Sequence, residues 1–174
     1  MANTYELISS VTVGAGGASS IDFTSIPATY TDLNIVLSGR SSFASKVASV
    51  YGRFNSSSTG YTNRVLYGET TGTGSFSPSL SYAHCGYISA SSTTSNTFGS
   101  VSIYIPNYAN TSYNKSISTD AVTEDNASTY QSGVQALVAA LWANTSAISS
   151  ISLTLDAGNF NQYSTAYLYG IKNS

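Results

Sequence analysis

The chain has 174 residues, of which 8% are charged, and its formal net charge at pH 7 is −2. An average soluble domain is about one-quarter charged, so most of this surface must consist of neutral hydroxyl, amide and aromatic groups. Six Lys and Arg residues against eight Asp and Glu argue against nucleic-acid binding, and the single cysteine, Cys85, excludes an intrachain disulfide.

Alternation of apolar and polar residues with a period of two runs through the chain and predicts half-buried strands. In chain order the predicted strands are residues 5–13, 19–23, 32–38, 47–55, 62–69, 87–91, 101–105, 134–142, 150–155 and 166–169. Clusters rich in Gly, Ser, Thr and Asn predict turns at 14–17, 56–60, 70–75, 91–96 and 157–159. About ten strands at this spacing predict one all-β domain over residues 1–174, a sandwich or a barrel. No apolar run approaches the ~18 residues of a membrane span.

One segment fits two periods. Val134, Leu137, Val138, Leu141 and Trp142 form a stripe at helical spacing, and the alanines among them favour a helix. Read with a period of two, the same segment is a strand with apolar residues on both faces, as in a strand buried on both sides. Because strands are predicted before and after it, we favour the strand.

The sequence offers few groups for catalysis. His84 is the single histidine and precedes Cys85, but adjacent strand residues point to opposite faces, so we do not expect a Cys–His dyad. The run Gly14-Ala15-Gly16-Gly17 lacks the Lys-Ser/Thr of a phosphate-binding loop and predicts a hairpin connection. Four basic residues fall within a short span and could form a basic patch: Arg40, Lys46, Arg53 and Arg64. We expect no cofactor.

The acidic residues suggest two further hypotheses. Asp120, Glu124, Asp125 and Asn126 could supply some oxygen ligands for calcium, but the EF-hand spacing is absent and a solvated turn is favoured. A glycan-cleaving enzyme would need two carboxylates in one cleft, drawn from candidates such as Asp120, Glu124 and Asp156. Nothing in the sequence marks such a pair, so this is the weakest of the functional hypotheses.

The 14 tyrosines are the strongest functional lead. Tyrosine combines apolar area with a hydroxyl and is enriched at interfaces, although we expect about half of these to fill sheet faces. Tyr104 is out of phase with Val101, Ile103 and Ile105, which predicts that it lies on the opposite face. The candidate contacts to a protein partner or a glycan are Asn55, Tyr61, Arg64, Tyr104, Tyr108 and Tyr113.

A set of distinct turn and core motifs lies toward the two ends of the chain. They are Thr4-Tyr5-Glu6-Leu7-Ile8, Ser20 to Pro27, Tyr30 to Leu33, Ser38 to Ser41, Phe54-Asn55 followed by Tyr61, Trp142 to Ile148, Ile151 to Leu155, Gly158 to Phe160 and Leu168 to Ile171. With these motifs the chain resembles a family of small virion proteins of tailed phages that infect aquatic bacteria, including cyanophages. The middle, about residues 68–132, matches loosely around Ile105-Pro106-Asn107-Tyr108.

The resemblance implies a jelly-roll-like antiparallel β-sandwich that is part of a virion, and it favours a strand at 134–142. Our leading hypothesis is a non-enzymatic capsid decoration, or cement, protein that contacts the major capsid protein or other virion proteins, as a homotrimer. The alternative is a receptor-binding tail-fibre or head-fibre module that recognises host glycans. The start of the chain has no signal peptide pattern, so we expect synthesis in the cytoplasm of a host bacterium and incorporation into the virion.

Overall fold

In the computed structural model, the described residues are 4–69, 72–76, 79–126 and 133–172. They form thirteen strands: β1 (Tyr5–Thr12), β2 (Ser20–Phe23), β3 (Asp32–Gly39), β4 (Val47–Phe54), β5 (Tyr61–Glu69), β6 (Gly72–Phe76), β7 (Ser79–Leu80), β8 (Ala83–Ser89), β9 (Gly99–Ile105), β10 (Lys115–Thr123), β11 (Val134–Trp142), β12 (Ile151–Leu155) and β13 (Thr165–Ile171). The described chain contains no helix long and apolar enough to cross a membrane.

The strands form two sheets in which every paired strand is antiparallel to its neighbour. The large sheet has nine strands in the order β1-β13-β3-β9-β10-β11-β5-β6, with β7 paired to β5. The small sheet has the order β2-β12-β4-β8. The predicted all-β, antiparallel, two-layered fold is therefore confirmed, and the segment 134–142 is a strand with the predicted bounds.

Three strands of the described chain were missed by the sequence reading: β6, β7 and β10. The glycines and hydroxyl residues of 70–75 predict a turn, yet residues 72–76 form a strand that pairs with β5 along its whole length. In β10 the inward positions include Thr119 and Thr123, which are buried although polar. Because these inward positions are threonines, the apolar–polar alternation of β10 is weak and does not predict a strand.

The chain crosses between the sheets at most of its connections. β1 lies in the large sheet, β2 in the small sheet, β3 in the large sheet and β4 in the small sheet, and β12 and β13 are divided in the same way. The turn at Gly14 to Gly17, closed by a hydrogen bond from Gly17 N to Gly14 O of 3.0 Å, therefore joins two sheets. The hairpin predicted there is wrong, because β1 pairs with β13 and β2 pairs with β12.

The core lies between the sheets, where inward residues of both layers interdigitate. Val101, Ile103 and Ile105 of β9 face inward and are buried, as the alternation predicted. At Gly86, whose φ is +89°, a Cβ would lie 2.3 Å from the Cβ of Ala121. A residue without a side chain is required there, because β8 and β10 approach each other closely across the core.

Candidate interaction surface

The face of the large sheet that points away from the small sheet is open in the described molecule. Along β10 and β11 every second residue is exposed, and the residues between them are buried. Apolar residues are exposed here as well as polar ones: Leu7, Val36, Leu66, Tyr104, Val122, Leu137, Leu141 and Tyr167. A soluble protein seldom exposes a contiguous apolar surface without using it for contacts.

One part of this face is aliphatic, and we call it the leucine patch (Leu66, Val122, Leu137 and Leu141). Leu137 of β11 is paired in register with Leu66 of β5, and these two side chains are 59% and 55% exposed. Shallow grooves with volumes of about 480 and 510 Å³ lie on the two sides of this leucine pair. The pair therefore forms a ridge between two depressions.

The leucine patch carries two charges of opposite sign. Arg64 of β5 is in register with Ala139 of β11, and Asp120 of β10 is in register with Leu137. No other outward residue of β5, β10 or β11 is charged. Among the described residues the one ion pair is between Lys172 and Glu6, 3.0 Å apart, so Arg64 and Asp120 are not paired with each other.

The other part of the face is aromatic, and we call it the tyrosine patch (Tyr104, Tyr167 and Tyr169, with Asn34 and Val36). The rings of Tyr167 and Tyr169 stack with centroids 6.4 Å apart, and Asn34 lies in register between Tyr169 and Tyr104. Tyr104 donates a hydrogen bond of 2.8 Å from its hydroxyl to Asp32. The patch is thus a hydroxyl- and amide-bearing surface whose geometry is held by its own contacts.

Two of the six predicted contact residues are buried instead of exposed. Tyr61 is 1% exposed and packs between Phe54 and Trp142, with its ring stacked on the indole at 6.1 Å. Tyr108 is fully buried and donates its hydroxyl hydrogen to Pro27 O. Both tyrosines fill the core, because a large ring at a loop end can turn inward, and neither can contact a partner.

Asn55 and Tyr113 lie in loops at one end of the sandwich. Asn55 donates to Ala147 O at 2.8 Å and accepts a hydrogen bond of 2.8 Å from Ser149 N, so its amide fastens two loops together. Tyr113 is exposed, and its carbonyl accepts one of three hydrogen bonds from the buried ammonium of Lys115. Burial lowers the pKa of Lys115. Arg64 and Tyr104 are the two predicted residues that share the outer face of the large sheet.

The small sheet presents a different outer face, covered by an aromatic cluster (Tyr51, Tyr82, His84, Tyr87 and Phe76). Tyr51 stacks on Tyr82 with centroids 3.7 Å apart, and His84 lies 5.1 Å from Tyr87 and 5.6 Å from Phe76. Because Phe76 belongs to β6, the edge of the large sheet reaches onto the small sheet. Burial raises the pKa of Tyr51 well above its usual range and that of Tyr87 to about 12.

His84 and Cys85 lie on opposite sides of β8, as predicted. Burial lowers the pKa of His84 to about 4, and its Nδ1 accepts a hydrogen bond of 3.1 Å from Gly86 N. The thiol of Cys85 is buried in the core, where desolvation raises its pKa to about 12. A neutral imidazole and a protonated thiol that face different layers cannot act as a nucleophile and its base.

The other candidate clusters are dispersed in the structure. Arg53 and Arg64 lie on the outer faces of different sheets, so the predicted basic patch is not formed. Asp120 lies on the outer face of β10, whereas Asp156 follows β12 and accepts a hydrogen bond of 3.0 Å from Ser49 N. Within the described ranges no group of three or more His, Cys, Asp or Glu side chains could hold a metal ion.

Sequence reasoning missed the leucine patch. The two-faced apolar pattern of 134–142 predicts burial on both sides, but Leu137 and Leu141 are exposed, and β11 is covered on one face only. This pattern could have indicated the patch, because a strand that is buried on one face and apolar on its outward face is also typical of an interface.

Tyr130, another of the tyrosines, lies outside the described residues. No protein-family model matches the chain, and no curated protein matches it.

Proposed function

We propose that this chain is a non-enzymatic structural protein of a tailed-phage virion that decorates the capsid and stabilises it through many repeated contacts. The observation that carries the proposal is the outer face of the large sheet, which is exposed, nearly free of charge and divided into an aliphatic and an aromatic patch. The resemblance of both ends of the sequence to tailed-phage virion proteins supports the assignment to a particle.

The composition of this face suits permanent contact with protein. Burying a charged group is costly unless it is paired, whereas hydroxyl and amide groups can be satisfied by hydrogen bonds to neutral partners. Tyrosine is enriched in interfaces because it buries a large area at small cost in side-chain entropy. We assign the tyrosine patch to contact with the major capsid protein, where many identical sites turn modest affinity per site into stable attachment.

The order of the strands supports the jelly-roll part of the proposal. The strands β1, β13, β3 and β9 lie side by side in the large sheet, facing β2, β12, β4 and β8 in the small sheet. A jelly roll is a double sheet of eight strands built from two Greek keys, and successive strands cross between its layers. In this assignment β10, β11, β5, β6 and β7 widen one sheet beyond the eight strands, and the leucine patch lies on that added part.

A second candidate function is recognition of host glycans, and a cleft at the other end of the sandwich favours it. The cleft has a volume of about 340 Å³ and is lined by Arg40, Asn96, Phe98, Gln162 and Tyr163, among others. Tyr163 is 69% exposed and has a φ of +71°, a strained backbone conformation for an aromatic residue. An exposed ring beside amide side chains suits stacking and hydrogen bonding with a sugar. The guanidinium of Arg40 is occupied by carbonyls of the loop at 91–97, which favours a neutral sugar over an anionic one.

The experiment that tests the proposal is quantitative mass spectrometry of purified virions, combined with localisation of the chain in a cryo-electron microscopy map. Decoration of the capsid predicts copies on the order of hundreds per particle, distributed with the symmetry of the shell. It also predicts that particles without the protein release their genome at a lower temperature. A few dozen copies on the tail or on fibres would favour the receptor-binding candidate, and absence from the virion would overturn both.

A further inference from the structure

We propose that the leucine patch binds the leucine patch of a second copy of this chain across a two-fold axis, with Arg64 of each copy paired to Asp120 of the other. This deepens the proposed function, because it names the partner for one part of the outer face and leaves the tyrosine patch for the capsid.

The apolar part of the patch has the shape of a ridge. Leu66 and Leu137 are paired across β5 and β11, and both are more than half exposed. A groove lies on the Ala139 side of this pair and another on the Val122 side. A two-fold interface brings the same patch of both copies together, so this ridge would lie across the ridge of the second copy.

The charges favour a second copy over another partner. Arg64 and Asp120 lie on opposite sides of β11, two strands apart and one inward–outward repeat apart along the strands. With standard sheet spacing their Cα atoms are roughly 12 Å apart, which is too far for an ion pair within one chain. In a second copy facing the first, the Arg64 of each copy can therefore meet the Asp120 of the other, and the rest of the face is neutral.

One position of the axis satisfies both charges. A two-fold axis that lies in the plane between the copies, crosses β11 between Leu137 and Ala139 and runs perpendicular to the line from Arg64 to Asp120 places each Arg64 above the Asp120 of the other copy. The same rotation brings Leu66 and Leu137 of both copies into one cluster on the axis, equally far from the two ion pairs. The apolar and the charged contacts therefore select the same arrangement, which is the mark of a self-complementary surface.

The size of the patch sets the expected strength. Three strands of nine residues cover roughly 14 by 30 Å, which is smaller than the ~800 Å² per partner of a standard stable interface. We therefore expect a weak dimer in solution, visible at protein concentrations of tens to hundreds of micromolar. On a particle, where copies are held side by side, the same contact would be strengthened by the high local concentration.

Sedimentation velocity over a range of concentrations tests the inference with a charge exchange. We expect Arg64→Asp and Asp120→Arg each to raise the dimer dissociation constant at least about tenfold, since each places like charges against each other. The double variant Arg64→Asp with Asp120→Arg restores opposite charges and should bind within about threefold of the wild type. The double variant also shows that neither single variant acts by unfolding the chain.

A matched control uses the same residue type on the same sheet face. Leu7 of β1 is 55% exposed, as Leu66 is, but lies near the opposite edge of the large sheet. We expect Leu66→Ser to weaken the dimer at least about tenfold and Leu7→Ser to leave it unchanged.

A chain that stays monomeric to about 1 mM, or whose folded double variant does not regain the self-association that the single variants lose, would overturn the inference. The measurement is made on the isolated chain. Absence of the protein from virions would therefore overturn the proposed function and leave the two-fold dimer standing. A chain that is present on virions but forms no dimer would overturn the inference and leave the proposed function standing.

Discussion

The two outer faces of the sandwich both carry large apolar and aromatic residues, but these residues differ in how far they are buried. On the small sheet the aromatic cluster is half-buried, because its rings stack on one another and Phe76 of β6 closes over His84. On the large sheet the leucines and tyrosines are exposed, and no described element covers them. Apolar groups on the small sheet are buried within the chain and stabilise its fold. Those on the large sheet stay exposed in the monomer, so their burial would stabilise an association with a partner.

The largest expected effect concerns His84 and pH. Its pKa is about 4 in the folded protein, against an ordinary value of 6.5, because burial disfavours the charged imidazole. Between these values the unfolded chain binds a proton that the folded chain does not, so stability is present above pH 6.5 and is lost as the pH falls. We expect a loss on the order of 2 to 3 kcal/mol between pH 7.5 and 4.5, measured by urea unfolding.

The variant His84→Gln provides the control for this measurement, because it removes the titrating group and leaves the carboxylates unchanged. Tyr51 and Tyr87, which face His84, stay neutral throughout this range, because the ordinary pKa of a tyrosine is 10 and burial raises the pKa of both further. If the wild type and the variant lose stability in parallel over this range, the aromatic cluster does not hold His84 in a neutral form.

The second effect compares two tyrosines at mid-strand positions of the two outer faces. Tyr51 stacks on Tyr82 at 3.7 Å and contacts His84 edge-on at 5.8 Å. We expect Tyr51→Ala to lower the free energy of unfolding by about 2 kcal/mol, through lost burial and ring contacts. Tyr167, which is 38% exposed and stacks on Tyr169 alone among the described rings, is the matched control.

For Tyr167→Ala we expect a loss below about 1 kcal/mol. Chemical unfolding of both variants measures the contrast. Equal losses would mean that the two outer faces contribute equally to the fold, and the comparison would then fail.

The smallest effect concerns Leu137. Measured in dilute solution, where the chain is monomeric, Leu137→Ser should change the free energy of unfolding by less than about 0.5 kcal/mol, because its side chain is already in water. Its neighbour Val138 on the same strand is buried, and Val138→Ala should cost about 1.5 kcal/mol. A large loss for Leu137→Ser would show that the leucine patch supports the monomer itself.

Much of the fold could be predicted from local pattern. The alternation of Val101, Ile103 and Ile105 with Ser100, Ser102 and Tyr104 defined both faces of β9, including the outward position of Tyr104. The strand at 134–142 was found despite its helical stripe. By contrast, β10 was missed, because Thr119 and Thr123 are buried in its inner face and only the opposing sheet makes those positions interior.

The site could be predicted much less well, because exposure depends on what the rest of the chain covers. Tyr61 and Tyr108 both lie next to Ser-, Asn- and Gly-rich loop sequence, as exposed tyrosines often do. In the structure Tyr61 stacks on Trp142 in the core, and Tyr108 is buried with its hydroxyl donating to Pro27 O. Leu137 has the pattern of a doubly buried residue, yet no described element packs on its side of β11.

The amino-acid sequence by itself determined that this chain is built of strands with a nearly uncharged surface, because alternation and composition are local properties. The tertiary structure decided which faces are covered. Pairing among strands distant in sequence places the aromatic cluster under β6 and leaves the leucine and tyrosine patches open. Long-range pairing has no local signature, and it is this pairing that separates residues that stabilise the fold from residues available to a partner.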